Sequence, residues 1–175
     1  MTKYLLKRAT AYLIDCTIAF SIVMIIIQWG ILSHTREWIG ITDDWFKDSL
    51  NMQLYVSLSI SLPVWIYFSY FDSILSKGTI GKRLLGLHLS DINNNSISFP
   101  KAFLRTVLKL LPWEIAHVGV IFPTPLYYEQ NGDVRLLSYV GISLFVIYVI
   151  SVIINVKNQS LYDIVLNTCV SQQNN

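Results

Sequence analysis

The sequence predicts an all-α membrane protein, a bundle of about four transmembrane helices with the third kinked or interfacial, and a short cytoplasmic hairpin between helices 2 and 3. Three observations carry this. The 175 residues are 53% hydrophobic and only 14% charged, against about 25% charged in soluble domains. Three long apolar runs reach the roughly 20 residues that a hydrocarbon core of about 30 Å requires. The connectors between the runs differ in charge sign, as the positive-inside rule expects of a multi-pass chain.

Helix 1 covers about Leu5 to Leu32. Lys3, Lys7 and Arg8 resemble the basic start of a signal peptide. The apolar run after them is too long, however, and no small-x-small site closes it, so a retained helix is expected. Asp15 lies inside this run, where a carboxylate costs a few kcal/mol and is expected to face a partner or water. Arg8 lies two turns earlier on the same face, with Tyr12 between them. Ala11 and Ala19 keep that face thin for a neighbouring helix.

Helix 2 runs from about Met52 to Phe71. It contains Pro63, whose freed carbonyl Ser57, Ser59 or Ser61 is expected to satisfy. The segment from Phe103 to Phe122 holds Arg105, Lys109, Glu114 and His117 and is interrupted by Pro112, so it is either a kinked spanning helix or an interfacial one. The last run, Leu136 to Val156, is uncharged. Between helices 2 and 3, Asp91-Ile92-Asn93-Asn94-Asn95-Ser96 is a turn signal flanked by Leu87-His88-Leu89 and Ile97-Ser98-Phe99, which predicts the hairpin. No internal repeat is visible. The chain reads as one domain over residues 1–171, followed by a polar tail, 172–175, expected to be disordered.

Basic residues flank the N-terminus and fill the loop from Ser73 to Pro100, while the connector from Ser33 to Leu50 is acidic. The expected location is the bacterial cytoplasmic membrane, with the N-terminus in the cytoplasm. The net charge of +2 gives no support to nucleic-acid binding. Cys16 and Cys169 suggest neither a disulfide framework nor a metal site. Gly78 to Gly86 lacks the spacing of a phosphate loop, and Arg83 follows Lys82 where Ser or Thr is needed. Lys82 and Arg83 are instead expected to face anionic lipid headgroups. No triad or nucleotide fingerprint is present, so no enzyme activity and no cofactor are expected.

Glu114 and His117 share one helical face. Counting about 1.5 Å per residue places Glu114 and Asp15 at similar depth, where with His117 they would make a proton relay or cation site.

Short motifs in a specific order complete the reading. Arg8-Ala9-Thr10-Ala11-Tyr12-Leu13-Ile14-Asp15, then Thr79-Ile80-Gly81-Lys82-Arg83-Leu84-Leu85-Gly86-Leu87, then Ser160-Leu161-Tyr162-Asp163 with Thr168 and Val170 resemble the three signatures of the RDD family, small bacterial membrane proteins named for one arginine and two aspartates. Tyr162 stands where the family commonly has histidine, and Asn167 where it commonly has glycine. The resemblance implies an inner-membrane bundle in which Arg8, Asp15 and Asp163 form the charge set. Some members are linked to sodium–proton exchange and others are called transport-associated. The expected function is therefore a small, oligomeric cation–proton exchanger or transport component, handling sodium or potassium ions at Asp15. Arg8 and Asp163 would gate it from the cytoplasmic side. The alternative is a non-transporting adaptor that binds anionic lipid.

Overall fold

A computed structural model describes residues 2–129 and 132–172. The chain is mostly helical, and among the described residues four helical segments are long and apolar enough to cross a membrane: Lys3–Thr35, Ser49–Asp72, Phe99–Tyr128 and Leu136–Ile154. The third of these carries Pro112 inside a continuous helix, Phe99–Ile121, so by length and composition it qualifies as a span.

The elements that matter below are α1 (Thr2–Ile22), α2 (Ser49–Val56), α3 (Leu62–Asp72), α4 (Ile80–Leu84), β1 (Leu87–Asp91), α5 (Phe99–Ile121), α6 (Leu136–Ile154), α7 (Leu161–Val165) and β2 (Thr168–Gln172). α1 continues into a wider π-helical run, Val23–Leu32, and a second such run, Ser57–Ser61, separates α2 from α3. Asp48 starts α2, its carboxylate accepting the Asn51 N–H at 2.9 Å, as N-cap residues do.

Contacts divide the chain into two compact units. The first comprises the described parts of residues 1–19, 65–110 and 146–175, and the second residues 20–64 and 111–145.

In the first unit, β1 and β2 pair antiparallel, with Leu87 opposite Gln172 and Asp91 opposite Thr168. This corrects the expected hairpin. The turn after Asp91 does form, with the Asp91 carboxylate accepting the Asn93 and Asn95 N–H groups at 2.9 and 2.7 Å. The strand's partner, however, is the C-terminal segment rather than Ile97 to Phe99. Leu87, Leu89 and Val170 project from the paired strands into a core with Ala11, Ile97 and Ala102, and this burial sets the pairing. β2 includes Gln172, the first residue of the expected tail; residues 173–175 lie outside the described residues.

The pairing exposes a repeat that the sequence conceals. Thr79 and Ser160 are both extended residues that start a five-residue helix. Each helix is closed by a leucine C-cap with nearly identical torsions, φ −101°, ψ 9° at Leu85 and φ −101°, ψ 7° at Leu166. A left-handed residue follows, Gly86 at φ +64° and Asn167 at φ +50°. A five-residue strand then begins. Glycine or asparagine is what this backbone region admits, so Asn167 keeps the turn that a glycine would make. The register of β1 on β2 is that of a two-fold exchange of the two copies.

In the second unit, Pro63 has no N–H to give the Ser59 carbonyl. The expected serine rescue does not occur. The Ser59 hydroxyl donates instead to Tyr55 at 2.6 Å, and the Gln28 side-chain amide donates to the Ser59 hydroxyl at 2.8 Å and approaches its carbonyl at 3.5 Å.

Candidate functional site: a buried charge cluster

Among the described residues, the first unit gathers seven ionisable side chains with formal charges: Asp15 on α1, Asp72 ending α3, Arg105 on α5 and Asp163 on α7 are buried, and Arg8 on α1, Lys82 on α4 and Lys109 on α5 are partly buried. Arg105 and Asp163 are 2% and 0% exposed. The Arg105 guanidinium joins two carboxylates, donating to Asp163 at 2.7 and 2.9 Å and to Asp72 at 3.2 Å. The other Asp163 oxygen accepts from Arg8, and the other Asp72 oxygen accepts from Lys82. The chain Arg8–Asp163–Arg105–Asp72–Lys82 is thus a line of alternating charge, the arrangement in which buried ions offset each other's lost hydration.

Asp163 and Lys82 occupy the same position in the two helix–strand copies, the third residue of each short helix. Their opposite charges decide how each helix N-terminus is satisfied. At α7 the Asp163 carboxylate reaches back to accept the Ser160 N–H at 3.2 Å. At α4 a lysine cannot do this, and α1 supplies the carboxylate. Asp15 accepts the Gly81 N–H at 2.7 Å and the Thr79 hydroxyl at 2.5 Å. Gly81 is required there, because a Cβ would strike the Ala11 carbonyl and lie 3.0 Å from the Asp15 carboxyl carbon. Asp15 therefore caps α4 from a distance: of the partner or water expected to face it, it meets a partner.

Burial opposes ionisation of Asp163, but the Arg105 and Arg8 guanidiniums outweigh it and hold the carboxyl down at about 2. Burial pushes the Lys82 ammonium below the usual lysine range, and Asp72 offsets only part of that.

Tyr162 packs its ring 5.1 Å from the Arg105 guanidinium carbon and 5.2 Å from the Tyr148 ring. Its hydroxyl accepts from Arg8 at 3.4 Å. Tyr12 stacks on Phe68 at 6.3 Å. A cavity of about 60 Å³ lies among Arg8, Asp15, Lys82, Arg105, Lys109 and their neighbours.

Lys82 is turned inward onto Asp72, which corrects the expectation that it faces lipid headgroups; Arg83 is exposed. Glu114 and His117 belong to the second unit. Glu114 accepts from Ser61 at 3.0 Å, and the His117 Nδ1 lies 4.0 Å from its carboxylate. Both Asp15 oxygens are taken up within the first unit, so its carboxylate is not the open relay member that the depth count suggested. Among the described residues, no group of three or more His, Cys, Asp or Glu side chains is placed to hold a metal ion.

Sequence reasoning missed Asp72, Arg105 and Lys109 as members of this site. Arg105 and Lys109 entered only as charges within the third segment, although their spacing of four residues, which puts both on one helix face, was a usable signal. Asp72, one residue past an apolar run, gave none.

The RDD family model matches residues 3–167. The chain belongs to the RDD family. No curated protein and no solved structure matches it. Family membership and the four apolar helices together make this RDD protein an integral membrane protein.

Proposed function

We propose that this RDD protein exchanges a monovalent cation for a proton across the bacterial cytoplasmic membrane, with the buried Asp72–Lys82 pair as the exchange element. The observation that carries the reading is that pair itself. A carboxylate is matched to an ammonium whose proton burial loosens. With Lys82 protonated, Asp72 is occupied. When Lys82 releases its proton, Asp72 is left with a vacant oxygen that a sodium or potassium ion fills, so one proton leaves as one cation binds. Asp72 ends a spanning segment and Lys82 reaches it from the short helix that follows, and ionisable groups facing the interior of a helix bundle mark such paths. The exchange site moves from Asp15, whose oxygens are committed to α4, to Asp72. The N-terminus lies in the cytoplasm, and a second copy of the chain completes the path that four helices are too few to enclose.

Cation-driven proton flux in liposomes tests this. Wild type is expected to show sodium- or potassium-driven flux, and Asp72→Asn to lose it by at least about tenfold. Lys82→Met is expected to bind the cation without moving a proton. Wild-type flux from Asp72→Asn, or none from well-folded wild type, overturns the proposal. In the second case the adaptor reading is what remains, with Arg83 and the neighbouring exposed Lys77 as its lipid-facing charges.

A further inference from the structure

The charge cluster does not balance. It contains four basic side chains, Arg8, Lys82, Arg105 and Lys109, against three carboxylates, Asp15, Asp72 and Asp163. Asp72 and Asp163 are each engaged by two of the cations, and Asp15 by Thr79 and Gly81. Lys109 is the cation left over. Among the described residues its ammonium has no carboxylate within ion-pair distance and no hydrogen-bond acceptor. It rests 3.4 Å from the centre of the Phe68 ring and 5.7 Å from that of Tyr12. Ring faces attract an ammonium, but they do not neutralise it, and a partly buried charge with no counter-ion still costs hydration.

All four basic residues line the 60 Å³ cavity, and the one carboxylate that shares its wall, Asp15, already has both oxygens occupied. At roughly 10–15 Å³ of such space per water, the volume admits a compact ion and not the glycerol and chains attached to a lipid phosphate.

We propose that this cavity is a binding site for a small inorganic anion, of chloride or phosphate size, with Lys109 as its principal ligand and Arg8, Lys82 and Arg105 supplying the surrounding positive charge. One monovalent anion brings the cluster to neutrality. The site stands on Lys109 and the cavity and does not require that the protein exchange cations. It is also compatible with exchange, because a cation replacing the Lys82 proton leaves the same excess charge.

The test is a binding measurement without a gradient, so its outcome is separate from that of the flux assay. The purified protein in phospholipid-free detergent is titrated with sodium chloride or inorganic phosphate replacing sodium gluconate, at constant ionic strength and pH, and its melting temperature is followed. A saturable rise is expected with the small anions and not with gluconate. Lys109→Met is expected to weaken the apparent affinity by at least about tenfold, and Lys109→Arg and the surface variant Lys77→Met to retain it. A flat wild-type titration overturns the proposal, and so does an unchanged anion dependence in Lys109→Met. Stabilisation by added phosphatidylglycerol with no response to chloride or phosphate overturns it as well, and assigns the charge to a lipid headgroup. If Lys109→Met does not fold, the wild-type titration and Lys109→Arg still decide.

Discussion

Asp15 shows how much one residue's environment changes its meaning. In the sequence it is a carboxylate in an apolar helix; in the fold it is the cap of another helix. Asp15→Ala leaves the buried Gly81 N–H and Thr79 hydroxyl without their acceptor, a loss of about 1–3 kcal/mol. Asp15→Asn, which keeps one acceptor oxygen, is expected to lose less. Denaturation in detergent measures this, and flux per folded molecule is expected to survive in Asp15→Asn. Lost flux with unchanged stability would return the exchange site to Asp15. Asp163 makes a prediction of a different kind. Its carboxyl is held at about 2 in the fold, against about 3.9 in an unfolded chain. A depressed folded value means a stabilising contribution that is full above the unfolded value and lost as pH falls from about 4 to about 2. Across that window wild type should lose stability more steeply than Asp163→Asn. Parallel curves would show that the two guanidiniums do not hold the proton off. The sequence marked Arg8, Asp15 and Asp163 through short motifs. It did not mark Asp72 or Arg105, because a charge at a helix end, or in a basic stretch, looks the same whether or not it meets a partner.

At the scale of elements, the prolines show how a membrane helix absorbs a missing donor. Pro112 cannot donate to the Leu108 carbonyl, and the Tyr148 hydroxyl on α6 donates there instead at 2.9 Å. Tyr148→Phe is expected to cost about 0.5–1.5 kcal/mol. In a Pro112→Ala background the restored N–H reclaims that carbonyl, and the same change should cost less than half as much. Equal costs in both backgrounds, measured as a double-mutant cycle, would refute the assignment. Three of the long helices were legible as apolar runs, and so was the turn at Asp91 to Asn95, whose asparagines favour it locally; the continuity of α5 through its charges and Pro112 was not. The partner of β1 was not. Strand pairing is a non-local choice, settled here by burying Leu87, Leu89 and Val170 in one core, and β2 lies about eighty residues further along the chain. The helix–strand repeat stayed hidden for a related reason. Its two copies share torsions but few residues: Leu85 matches Leu166, while Thr79 answers to Ser160, Lys82 to Asp163 and Gly86 to Asn167.

For the whole molecule, the charge asymmetry of the connectors makes a topological prediction. With Cys16 and Cys169 replaced by serine, a thiol reagent that cannot cross the membrane should label Glu37→Cys in intact cells. Asn93→Cys should label only after the cells are opened; both positions are exposed. The opposite pattern would invert the orientation. Composition and hydropathy alone determined that this chain is a helical membrane protein with three long apolar runs, because water-free hydrocarbon demands internally satisfied backbone over a fixed length; the structure added Phe99–Ile121 as one continuous helix in a fourth segment long and apolar enough to span. Short motifs alone determined the family. Tertiary structure decided what the charges do: that Lys82 turns inward to Asp72, that Asp15 is a cap, that Arg105 joins two carboxylates and that Lys109 is left unmatched. Charge–charge energies fall off over a few ångströms and rise steeply as water is removed, so they depend on which distant residues the fold brings together, and no local pattern in the sequence records that.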